Sequence, residues 1–393
     1  MAKKYEAIYK TLSPISHGCE QGGTVPVNLP EKAKKNYMPF RKMFIATEND
    51  TSSSVIELPV ISGGSMRGIF RRIGARITLE TLGLSEREID EMIYYMLFSG
   101  GGLTKRESEG KSSEGEGDTD SETTGFKFPI MIRNSITLRA LVPHLSLFGS
   151  AFNSTIMEGL LIMGGMLPIL HETEDLTRVK SQRFWSPDLL SFQMGTRRDS
   201  TRNETDGLTD KQAAEVLQKA DGKDASKKEK EDTRSMIFYT EVLAPGVDLH
   251  HSFSFKRGIT AIEESLMACI LEEFTEAPYV GGKLSSGYGS LAMIKAYDHL
   301  ESPQTYLNFL KQNKVTILEY LNLWRHPELL IVKRQPGKKT AEKATVVWPE
   351  EIATKLQALV DEWEIMSRKP SSDEAKAILT KYRGWVGYGT PTF

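Results

Sequence analysis

Twice in this chain an extended apolar run gives way to an amphipathic helix, and that repeated order limits the fold more than any count of residues. The first unit reads VIELPVI from Val55 to Ile61 and then SGGSMRGIFRRIGARITLETL, with Met66, Ile69, Phe70, Ile73 and Ile77 at helical spacing. Ser62 stands where an N-cap belongs. The second unit opens with VDLHHSFSF and continues as GITAIEESLMACILEEF, whose Ile259, Ile262, Leu266, Ile270 and Phe274 form one stripe. A glycine-rich loop, GGKLSSGYG, and a strand from Ser290 to Lys295 follow it. Lys3 to Leu12 and Arg41 to Ala46 read as two more strands. Strands and helices mixed in this way predict an α+β fold.

The rest of the chain hangs on those units. Of 393 residues, 39% are hydrophobic, enough for a sizeable core. Residues 105–125 carry seven acidic and three basic groups and no large apolar side chain. Residues 196–234 are similarly polar, with ten charges of each sign. Neither segment buries enough apolar area to offset the entropy of ordering it, so both read as insertions projecting from a folded body. Residues 1–300 are thus expected to form the core, and 301–393 a mainly helical C-terminal region interrupted by the lysine-rich VKRQPGKKTAEK.

Several function classes drop out. Cys19 and Cys269 stand too far apart, and too alone, for a disulfide scaffold or a cysteine-rich metal site. The seven histidines show no HExxH or HxH spacing, so no metal and no cofactor is expected. His250-His251 points to opposite faces of a strand, which leaves at most one of them for any site. The longest apolar stretch, GLLIMGGMLPIL, is short and broken by glycine and proline, so no membrane span is expected. No apolar core follows the two lysines of the N-terminus, and the protein reads as soluble and cytoplasmic.

Four features can carry chemistry. Ser62-Gly63-Gly64-Ser65 at a helix start, with Arg67 just inside the helix and Arg71 and Arg72 a turn on, suits an anion. The same residues also suit a tight turn with a solvated basic face. The loop from Gly281 to Gly289, with Lys283, Ser285 and Tyr288, can wrap a phosphodiester and stack on a base, or serve only as a turn needing positive φ. Residues 32–76 hold nine basic side chains against three acidic ones, although the whole chain sums to −2. Lys34, Lys35 and Arg41 there interleave with Tyr37 and Phe40, as a surface tracking a nucleic-acid backbone would require. His17, just after the first strand, is placed to act as an acid or base or to touch a ribose.

Taken in order, ISHGCEQGG after the first strand, LPVISGGSMRGIFRR and GGKLSSGYG resemble the RAMP superfamily of CRISPR effector proteins over roughly residues 3–300. MLFSGGGLTK and VPHLSLFGSAF look most like the backbone subunit of type IV complexes. The resemblance implies a modified RNA-recognition-motif, ferredoxin-like core with finger and thumb insertions. It implies a guide-RNA-binding subunit that polymerises along the RNA and presents it for pairing with a target, expected to be DNA. Partners would be other copies of itself, other effector subunits and an accessory helicase. Ser62, Gly64, Ser65, Arg67, Arg71, Lys283, Ser285 and Tyr288 would hold the RNA, joined by His17, Lys34, Lys35 and Arg41. RNA-cutting relatives carry an aspartate after the first strand. Here HGCEQGGTVPVN offers only Glu20, so a non-catalytic scaffold is expected. The alternatives are a guide-RNA-processing endoribonuclease of the same superfamily using His17, and an unrelated enzyme that binds a phosphate ligand through both glycine loops.

Overall fold

Alternation in the first strand decides which side of the sheet is buried. In β1 (Lys4–Thr11), Tyr5, Ala7, Tyr9 and Thr11 are buried, while Lys4, Glu6, Ile8 and Lys10 take the other face. The computed structural model describes residues 4–18, 37–49, 52–85, 89, 91–102, 132–152, 155–180, 185–197, 236–298, 300–325, 331–333, 345–347, 350–368, 373 and 377. Five further elements complete the core with β1: α1 (Gly63–Leu82), β2 (Leu161–Pro168), β3 (Asp248–Phe255), α2 (Ala261–Glu276) and β4 (Leu291–Lys295).

The sheet runs in the order β4-β1-β3-β2, and every neighbouring pair is antiparallel. A βαββαβ chain with that strand order is a ferredoxin-like fold. Tyr5 lies opposite Phe253 and Tyr9 opposite Leu249. The Tyr5 and Phe253 rings stack at 5.0 Å, a cross-strand pair that holds register as well as burying area.

Both helices cover that same face. Phe70 of α1 is fully buried, its ring 5.1 Å from Phe274 of α2 and 6.0 Å from His251 of β3. Ser62 caps α1, its hydroxyl accepting the Ser65 N–H at 3.2 Å, and Gly83 closes the helix in the left-handed conformation. A capping box starts α2: Thr260 accepts from the Glu263 N–H, and Glu263 accepts the Thr260 N–H at 2.8 Å. The two adjacent histidines do point apart. His251 faces the helices with Nδ1 2.5 Å from the Tyr297 hydroxyl, and His250 lies on the other face near Glu6.

A third layer lies over the helices. In α3 (Pro303–Arg325), Tyr306 is buried, its hydroxyl 2.8 Å from Thr78 of α1 and its N–H donating to Ser265 of α2. Phe309, Leu310, Ile317 and Tyr320 extend the same core outward. A further helix, α4 (Glu350–Arg368), packs against α3 and against Ile132–Leu141.

Two ribbons leave the core. The first pairs Lys42–Asn49 with Ser52–Pro59, and the second pairs Leu190–Arg197 with Met236–Leu243. The polar segment 105–125 lies outside the described residues, as do 198–234 of the second polar segment, whose first two residues, Thr196 and Arg197, instead end a strand of the second ribbon. Among the described residues no helix is long and apolar enough to cross a membrane.

Candidate nucleic-acid interface

Where β1 ends, the backbone passes through a junction of three other segments. Ile15 bridges Leu243 at the base of the second ribbon, Ser16 bridges Gly282, and Gly18 bridges Phe40. The loop after β1, the glycine-rich loop and the lead into the first ribbon therefore meet at one end of the sheet.

His17 sits at the centre of this junction. Its carbonyl accepts the Arg41 N–H at 2.8 Å, and its Nε2 accepts the Ser62 N–H at 3.3 Å. The ring is buried, edge-on to Phe40 at 5.9 Å. Burial, and then the Arg41 charge, pull its pKa down to about 4. The imidazole is accordingly neutral at ordinary pH, with its Nε2 lone pair occupied by a backbone N–H. Arg41 is half-buried, and its Nε has no hydrogen-bond partner among the described residues.

At the helix start, the Ser62 and Ser65 hydroxyls lie 3.0 Å apart. Gly63 is there for close approach, since a Cβ would stand 2.6 Å from the Met163 carbonyl oxygen of β2. Gly64 is exposed, and a Cβ there would meet nothing nearer than the Ser62 hydroxyl at 3.9 Å.

The glycine-rich loop is anchored through Gly282, whose N–H donates to the Ser16 carbonyl at 2.7 Å. Gly281 has φ 83°, and a side chain there would run into that same carbonyl, so glycine is required twice over. Ser285 and Ser286 stand exposed on a short turn, Leu284–Ser286. Lys283 Nζ donates to the Thr240 hydroxyl at 2.6 Å and lies 5.8 Å from the Tyr288 ring centre. The Tyr288 hydroxyl donates to the Gln193 side chain.

Arg67 and Arg71, expected to hold phosphates, instead hold the protein's own carbonyls. Arg67 donates to Leu161 at 2.9 Å and to Phe148 at 2.5 Å, and Arg71 donates to Phe148 at 2.8 Å. Burial lowers both pKa values, that of Arg71 to about 10 with help from the Arg67 charge, and both remain cationic at neutral pH. The physical reason is that Pro143–Phe148 and β2 close over this face of α1 and leave their carbonyls pointing at it. Arg72 and Arg76, on the neighbouring face, are exposed. Lys34 and Lys35 lie outside the described residues.

Of the residues singled out in the sequence, the structure brings Ser62, Gly64, Ser65, His17, Arg41, Lys283, Ser285 and Tyr288 to one end of the sheet. Sequence reading missed the second ribbon and, with it, Glu241. That buried carboxylate accepts the Phe40 N–H at 2.8 Å and pairs with Lys42 at 3.3 Å, tying the two ribbons together. The alternation in LSFQMGTR and MIFYTEVL was the available signal. Phe192 and Met194 share one exposed face of this ribbon, and Tyr37 lies 6.0 Å from the Phe192 ring. Among the described residues no three histidine, cysteine, aspartate or glutamate side chains gather as a metal-ligand set.

No protein-family model matches the chain, and no curated protein sequence matches it. Among solved structures, the chain is similar to one in a "Type IV-B CRISPR Complex", with 18% identity over 75% of this chain and 90% of that one, at a TM-score of 0.44.

Proposed function

We propose that this chain is a non-catalytic backbone subunit of a CRISPR ribonucleoprotein effector complex, binding guide RNA through its phosphates and polymerising along it. The observation that carries the reading is the meeting of Ser16–Gly18, Ser62–Ser65 and Gly281–Gly289 at one end of a ferredoxin-like sheet. Exposed serines, loop N–H groups and the Lys283 and Arg41 charges suit a sugar-phosphate backbone.

The sheet argues for backbone gripping over base reading. RNA-recognition motifs stack bases on aromatic rings of the open sheet face. Here the rings in the sheet, Tyr5, Tyr9, Phe253 and Phe255, are all buried. The opposite face of β1 and β3 carries Lys4, Glu6, Ile8, Lys10, Asp248, His250, Ser252 and Ser254, with no phenylalanine, tyrosine or tryptophan. Sequence recognition would then fall to base pairing by the guide. In this reading the second ribbon, with exposed Phe192 and Met194, is the thumb that interrupts pairing. The neutral, hydrogen-bonded His17 supports the non-catalytic part.

The test is purification from a host with and without a co-expressed CRISPR array, recording particle size and the 260/280 nm absorbance ratio. A large particle carrying protected RNA of defined length is expected only with the array. A nucleic-acid-free monomer under both conditions would sink the reading.

A further inference from the structure

We infer that the glycine-rich loop is a latch for the second ribbon: Lys283 and Tyr288 grip the cross-strand pair Thr240 and Gln193 and so set the direction in which the ribbon projects. Thr240 and Gln193 are directly opposite each other in the ribbon register. One receives the Lys283 ammonium and the other the Tyr288 hydroxyl, and the two loop side chains lie against each other. Two independent hydrogen bonds thus converge on one rung, from a loop far away in sequence.

The position of that rung matters. The base of the ribbon is fixed by the Ile15–Leu243 bridge. The Thr240–Gln193 rung lies three residues further out. At the same level the short strand Tyr37–Met38 pairs alongside Tyr239 and Thr240, so the loop's side-chain contacts act on a three-stranded stretch of the ribbon and add to that pairing in fixing its direction. The loop backbone points the same way. Positions 281, 283, 287 and 289 all have positive φ, and glycine fills three of them. Lys283 alone takes a conformation that glycine adopts at less cost, so its side chain is needed there.

The inference deepens the RNA-binding reading, on which only its consequence rests: RNA held at the loop would meet the exposed Phe192–Met194 face at a fixed offset. The experiment separates the two. Hydrogen exchange of the ribbon amides is followed without nucleic acid for the parent, Tyr288→Phe, Gln193→Leu, the double variant and Thr240→Val. Each single change should speed exchange in 190–197 and 236–243 about five-fold, the scale of one hydrogen bond. The double variant should be no faster than either single one, and α1 and α2 should be unchanged. Unchanged ribbon exchange, or single effects that multiply in the double variant, would overturn the latch. The second arm adds short single-stranded RNA containing 2-aminopurine. Gln193→Leu, which breaks the same hydrogen bond from the ribbon side, should keep the parent's affinity and lose its fluorescence change. Failure of the parent to bind removes the RNA reading and leaves the exchange result standing.

Discussion

At the scale of single residues, His17 shows how an acid–base candidate becomes a structural acceptor. Its Nε2 holds the Ser62 N–H, so His17→Leu leaves that donor unpaired and should cost about 1–3 kcal/mol. His17→Gln, which supplies another acceptor, should recover most of the loss in urea denaturation. The pH dependence follows from direction alone. Burial holds His17 and His144 down to about 4 and His251 to about 3, from an ordinary value near 6.5. Between those limits the unfolded chain binds protons that the folded chain refuses, so stability is fully present above pH 6.5 and lost as pH falls toward 4. The urea midpoint should therefore drop steadily from pH 7 to pH 5. A flat profile would mean that these rings are not kept neutral. The sequence placed His17 just after the first strand but could not say what its ring nitrogen touches, because Ser62 comes from another segment.

At the scale of elements, what was legible depended on whether an element carried its own signal. The capped, periodic α1 and α2 and the alternating β1 and β3 are all present near their expected bounds. β2 was visible only as an apolar run, since Gly164 and Gly165 hide its period. Both are demanded by neighbours: a Cβ at Gly164 would stand 2.6 Å from the Ser252 carbonyl, and one at Gly165 equally close to that of Ile61. The arginine face of α1 failed for a related reason. A helical wheel puts Arg67, Arg71, Arg72 and Arg76 outside the apolar stripe, and it cannot show that a later segment covers half of that surface. This split is testable. Arg67→Ala should cost about 2 kcal/mol, from lost charged hydrogen bonds to Phe148 and Leu161 that staple α1 to β2. Arg72→Ala, on the exposed face, should stay within about 0.5 kcal/mol. Equal thermal shifts from the two variants would show that the staple is not a source of stability.

At the scale of the whole molecule, a net charge of −2 gives no hint of a nucleic-acid partner. The charges are distributed unevenly, however, with the basic excess in 32–76 and acids in 105–125. The fold brings Arg41 from that basic stretch to the same end of the sheet as the glycine-rich loop. If that end grips phosphates, binding must release counterions, and affinity must fall with salt. For about three phosphates neutralised per copy on a single strand, raising salt from roughly 50 to 200 mM should weaken binding about 20-fold. The sheet has no aromatic platform on its open face, so RNAs of equal length and unrelated sequence should bind within about three-fold of one another. Fluorescence anisotropy with short unstructured RNAs, at several salt concentrations, reads both quantities at once. Salt-independent binding would remove the phosphate contacts from the argument. Steep salt dependence combined with strong preference for one sequence would keep those contacts and require base-reading groups outside the sheet, with the exposed face of the second ribbon as the first place to look.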